Sequence, residues 1–94
     1  MDLPMKSLLL KSFINNEEMW EQDAVSNFIE NQKKKSDYWK WTFRFWLLEL
    51  SVAGFLTVID MELDDGSHFE KGKVLSKYKL TERGKQVIIE MLEG

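Results

Sequence analysis

The sequence predicts an α+β domain: three helices, then a two-stranded antiparallel hairpin, then a C-terminal helix. Three observations carry that expectation. Apolar residues recur at intervals of three and four through most of the first half and again near the end, and they alternate within TVIDMEL and VLSKYKL. The chain has 94 residues, enough for one core and too few for two, so residues 1–94 are expected to form one domain.

Pro4 suits the first turn of a helix, and Met5, Leu8, Leu9 and Phe13 follow at helical spacing, which predicts a first helix over about 4–15. Asn15 and Asn16 break it, and Trp20 is expected to anchor the connection to the core. The second helix has Glu21 and Asp23 at its start and Val25, Phe28 and Ile29 within. Lys33, Lys34 and Lys35 follow its end, a polarity that suits the helix dipole.

Ser36 and Asp37 open the third element, whose first part, YWKWTFRFW, has six aromatic residues in nine. Its first residues also fit a strand, because Trp39, Trp41, Phe43 and Phe45 alternate with Lys40, Thr42 and Arg44. A strand of that kind would stack its aromatics on single-stranded nucleic acid. The helical reading is the stronger, since WLLELSVAG loses the alternation, keeps a period of 3.6, and ends at Gly54.

On that helix Trp39, Phe43, Trp46, Leu47 and Leu50 form one apolar stripe. Tyr38, Trp41, Phe45, Leu48 and Val52 form a second on the opposite side, spaced three, four, three, four like a coiled-coil seam. The first stripe is read as core. The second is either core or an interface, covered by the first helix, by another copy or by a different protein. Leaving five large apolar side chains exposed forgoes about 1.5–3 kcal/mol for each.

In the hairpin, Ile59, Met61 and Leu63 are expected on one face of the first strand, with Asp60 and Glu62 on the other. Val74, Tyr78 and Leu80 point inward from the second strand, and Lys77 and Lys79 face Asp60 and Glu62. Thr81 is the expected N-cap of the last helix, lined by Val87, Ile88, Met91 and Leu92.

Hydrophobic residues make up 44% and charged residues 31%, the balance of an ordered globular domain. There is no cysteine, which excludes disulfides and thiolate metal sites, and His68 stands alone in the expected hairpin tip. Asp64 and Asp65 before Gly66 look like a turn, and the spacing of a calcium loop is missing. No nucleophile, acid–base pair or phosphate loop stands out, so neither an enzyme nor a cofactor is expected. The LLL run near the start is too short for a signal peptide or a membrane span, and a cytoplasmic protein without membrane contact is expected.

The net charge is −3, so attraction to nucleic acid has to come from asymmetry. Residues 33–48 carry five basic side chains against Asp37 alone, 49–65 are acidic, and 70–85 turn basic again.

The order of helices and hairpin, with LLELSVAGFLTV at 47–58 and YKLTERGKQVIIEML at 78–92, resembles the winged helix-turn-helix proteins, MarR-like and PadR-like regulators among them. The resemblance covers nearly the whole chain at the level of fold. It implies that 36–53 is a recognition helix, that the hairpin is a wing, and that the protein is a regulator binding double-stranded DNA as a homodimer. Lys40 and Arg44 would then reach bases or phosphates, and Lys71 and Lys73 on the wing would touch phosphates. Lys33, Lys34 and Lys35 would flank the groove. The second apolar stripe departs from the family, whose recognition helices present polar residues outward. It points instead to an interaction module that uses Tyr38, Trp41, Phe45, Leu48 and Val52 and does not bind DNA.

Overall fold

The computed structural model describes residues 4–93. The chain runs α1 (Met5–Lys11), β1 (Glu18–Trp20), α2 (Glu21–Gln32), α3 (Asp37–Val52), β2 (Leu56–Leu63), β3 (Val74–Leu80) and α4 (Glu82–Glu93). Among the described residues, four helices and one antiparallel sheet of order β1-β3-β2 make an α+β architecture. The expected two-stranded hairpin is therefore a three-stranded sheet. Its third strand, β1, pairs Met19 with Tyr78 and is extended by the bond from Leu80 N–H to the Glu17 carbonyl at 2.8 Å. Three residues with one buried side chain, Met19, are too short to show an alternation in the sequence.

α1 ends four residues earlier than expected. Past Lys11 the chain tightens into bonds from Phe13 N–H to Leu10 and from Ile14 N–H to Lys11, which still carry Phe13 into the core. α2 closes on Lys33, the one described non-glycine residue with positive φ, at 57°. Lys34 N–H reaches back to the Ile29 carbonyl at 3.1 Å, so the start of the lysine run is itself the turn between α2 and α3.

α3 is helical from Asp37 to Val52, which removes the strand reading of 38–46 and with it the single-strand stacking platform. Gly54 follows its end at φ 87°, and Phe55 N–H bonds the Leu50 carbonyl at 3.0 Å. That closure needs the left-handed conformation glycine adopts without strain.

The β2–β3 pairing holds a bulge. Val58 lies opposite Tyr78 and Asp60 opposite Lys77, leaving Ile59 as the extra residue. Val58, Met61 and Leu63 thus share a face with Tyr78, Ser76 and Val74, and the expected Ile59–Met61–Leu63 row is broken. Of the expected cross-strand charge pairs, Lys77 does lie opposite Asp60, while Glu62 lies opposite Leu75. Lys79 lies opposite Thr57 on one side and Glu18 on the other, and Lys77 forms its ion pair with Glu18 of β1 at 3.8 Å.

The core joins Leu9, Leu10 and Phe13 of α1 and its end, Val25 and Phe28 of α2, and Phe43, Leu47 and Leu50 of α3. Leu56, Tyr78, Leu80 and Ile88 complete it. Trp39 and Trp46 pack on Phe43 at ring distances of 5.4 and 5.3 Å, so the first apolar stripe of α3 faces inward. At the start of α4, the Thr81 hydroxyl accepts from Gly84 N–H at 2.9 Å and donates to the Gly54 carbonyl at 2.7 Å, tying the end of α3 to α4. Gly84 is buried, and a Cβ there would lie 2.2 Å from the Phe55 carbonyl oxygen.

No described helix is long and apolar enough to cross a membrane.

Candidate functional site

The second stripe of α3 lies open. Val52 is 82% exposed, Tyr38 67%, Phe45 58%, Leu48 51% and Trp41 36%. Among the described residues α1 reaches only its border, where Lys6 pairs with Glu49 at 3.0 Å. Phe45 and Leu48 sit between two hollows. One, of about 360 Å³, separates α3 from β3 and is lined by Trp41, Phe45, Leu48, Val74 and Tyr78, with Glu21, Arg44 and Ser76. The other, of about 430 Å³, is lined by Phe45, Leu48, Val52 and Ala53 with Lys6 and Glu49. A larger hollow of about 610 Å³ lies between α1 and α2 among amides such as Asn15, Asn27 and Asn31. Its size alone does not make it the site.

The sheet extends the apolar surface. Val58, Met61, Leu63 and Val74 are exposed on the face that turns toward the α3 cleft. Sequence periodicity missed this continuity because the bulge at Ile59 moves Val58 onto the face of Met61 and Leu63.

The polar part of the cleft is Glu21 and Arg44. Arg44 donates from Nη2 to the Val74 carbonyl at 2.8 Å and pairs with Glu21 Oε1 at 3.4 Å, while its buried Nε has no partner among the described residues. Glu21 is buried and accepts the Ser76 N–H at 3.1 Å. Burial pushes the Glu21 carboxyl above its usual range, and Arg44 and the Ser76 N–H offset part of that rise. Burial also raises the Tyr78 phenol, with Glu21 adding to the effect. Glu21 was legible in the sequence only as an acid near the start of a helix, and nothing in the pattern distinguished it from Asp23.

The segment joining β2 and β3 folds back over α3. Asp64 sets its shape: Oδ1 accepts from Gly66 and His68, and Oδ2 accepts from Phe69 at 2.6 Å and Glu70 at 3.0 Å. Burial opposes ionisation of Asp64, yet these four N–H groups outweigh it and hold the carboxyl down to about 2. Gly66 at φ 101° and Gly72 at φ 87° complete the turns. The expected turn at Asp64–Gly66 is thus the organiser of a whole loop. No group of three or more His, Asp or Glu side chains with metal-binding geometry occurs among the described residues.

That loop delivers Phe69 onto the basic flank of α3. The ring lies 5.2 Å from the Arg44 guanidinium, 5.3 Å from Lys40 Nζ and 5.6 Å from the Trp41 ring. An isolated aromatic inside DDGSHFEKGK was the available signal for this contact. Of the basic residues assigned to DNA, Lys40 and Arg44 are thus held against the loop, and Lys34 lies 5.4 Å from the Trp39 ring. Lys33 occupies the turn, and Lys33, Lys35, Lys71 and Lys73 are exposed.

No protein-family model, curated protein or solved structure matches the chain.

Proposed function

We propose that the chain is a winged-helix interaction module that seats a protein partner on the outer face of α3, with β2 and β3 as the wing. One observation carries this reading: Tyr38, Trp41, Phe45, Leu48 and Val52 remain exposed together on the helix that would otherwise enter a DNA groove. A groove lined by phosphates offers five such side chains no compensation for leaving water, whereas an apolar protein surface does. The engagement of Arg44 with Val74 and Glu21 supports the same reading, because a guanidinium bound within its own chain has fewer donors for a base edge.

A homodimeric regulator on double-stranded DNA is the second reading, favoured by the exposed Lys33, Lys35, Lys71 and Lys73. Binding to random duplex DNA across a salt series separates the two. The module reading expects no detectable binding at low salt. Binding that weakens steeply with salt, and whose salt slope drops by about one in Lys71→Ala, would reverse the order.

A further inference from the structure

We infer that the partner on this face is a second copy of the chain, its α3 lying antiparallel to the first about a two-fold axis level with residues 46 and 47. The inference rests on the interaction-module reading and names its occupant. A stripe with three-four spacing packs best against another helix with the same spacing, and the chain supplies one. In the antiparallel register Trp41 of one copy lies over Val52 of the other, and Phe45 over Leu48, so each layer joins a large side chain to a smaller one. A parallel pair would place Trp41 on Trp41 and Phe45 on Phe45, and would align the two helix dipoles unfavourably.

The borders of the stripe permit this approach. Glu49 is paired with Lys6 and Arg44 with Glu21 inside each chain, and the register sets Arg44 beside Ser51 and Thr42 beside Glu49, with no like charges opposed. The apolar surface also continues beyond the helix. Of the 13 large apolar residues exposed among those described, nine lie on this stripe or on the adjoining face of β2 and β3. A stable dimer needs about 800 Å² from each partner, so the seam would extend from the stripe onto that face. The competing mode for a second copy, strand addition at the free edge of β2, is obstructed. The bulge at Ile59 interrupts that edge, and Asp60 caps the Met61 N–H with its own side chain at 2.8 Å.

Because the chain contains no cysteine, single cysteines report the geometry directly. About the proposed axis, the two copies of residue 45, or of residue 48, are offset by about 4.5 Å along the helices, and those of residue 38 by about 25 Å. Phe45→Cys and Leu48→Cys should each form a disulfide-linked dimer under mild oxidation, and Tyr38→Cys should not. Sedimentation of the unmodified chain should show a dimer, and Phe45→Glu should raise the concentration for half-association about thirtyfold or more with an unchanged far-UV spectrum. Leu48→Lys serves as a second variant, and if both unfold, the stripe is core and the inference fails. Equal cross-linking at residues 38 and 45 overturns the antiparallel register. A monomer at millimolar concentration overturns the second copy as occupant; the module reading fails separately, by the DNA titration.

Discussion

Helix α3 carries two apolar stripes of similar composition, and the fold buries one while leaving the other in contact with solvent. Phe43, Leu47 and Leu50 are 0–5% exposed, while Phe45 and Leu48, one or two positions away, are more than half exposed. Helical period assigns residues to a face. It does not say which face the rest of the chain will cover, because that depends on how α1, α2 and the sheet meet the helix. The difference is measurable as stability, since truncation should cost much in the inner stripe and little in the outer one.

The largest contrast is expected between neighbouring phenylalanines. Phe43→Ala leaves a cavity among Phe28, Trp39 and Trp46 and should cost about 3–5 kcal/mol, enough to unfold much of a domain this small. Phe45→Ala should change the stability of the isolated monomer by no more than about 0.5 kcal/mol. Urea unfolding of the two variants at a concentration that suppresses association makes the comparison. Similar large losses would mean that both stripes are covered within one chain.

Gly84→Ala tests the other end of the inner face, where α4 meets the start of β2. The added methyl group would meet the Phe55 carbonyl oxygen at 2.2 Å and Leu80 Cδ1 at 2.8 Å. Backbone cannot give way as a side chain does, so overpacking should cost about 3 kcal/mol despite alanine's better helix propensity. A thermal melt equal to that of the unmodified chain would show that α4 is free to shift.

Much of the inner face was legible in the sequence and little of its surroundings was. α3 falls within a residue of its expected ends because Ser36 precedes it and Gly54 stops it, two local signals that need no tertiary information. Thr81 caps α4 as its position predicts. β1 was illegible because one inward side chain makes no period, and its pairing is fixed by β3, which lies far along the chain. The hairpin register was misread at the bulge, since an unpaired residue leaves no mark on hydropathy. In the site, the exposed stripe was visible as a pattern whose cover remained open, whereas Glu21 and Phe69 became meaningful only through contacts with Arg44 that span 23 and 25 residues of sequence.

Arg44 sits between the stripes, and removing it tests whether that border is internal. Arg44→Ala leaves the buried Glu21 carboxylate with only the Ser76 N–H. The loss should be about 2 kcal/mol at neutral pH, below the 3–5 typical of fully buried pairs because the Arg44 side chain is 26% exposed. The pH dependence has a definite sign. Burial raises the Glu21 pKa in the fold, so the folded chain holds that proton more tightly than the unfolded chain does. Its contribution to stability is therefore lost as pH rises from the usual 4.5 through the raised value. Without Arg44 the pKa rises further, and the deficit of the variant should grow across that window. Urea midpoints at several pH values from 4 to 8 would show it; a deficit that does not change with pH would remove the ion pair from the account.

The most local effect is expected in the loop that keeps Phe69 over the border. Asp64 accepts four backbone N–H groups, and Asp64→Asn withdraws the charge and replaces one accepting oxygen by a donor. Amide exchange at Gly66, His68, Phe69 and Glu70 should accelerate and the Phe69 ring should leave Trp41. Acid should reproduce the change in the unmodified chain. With a folded pKa of about 2 below the usual 3.8, the Asp64 contribution is complete above the higher value and is lost as pH falls through the lower. The variant should show no such step in that interval. If its four loop amides stay as protected as before while the exposed stripe is unchanged, the fold-back is fixed by Phe69 and Arg44 themselves. The basic flank of α3 would then be occupied by aromatic packing independently of the Asp64 turn.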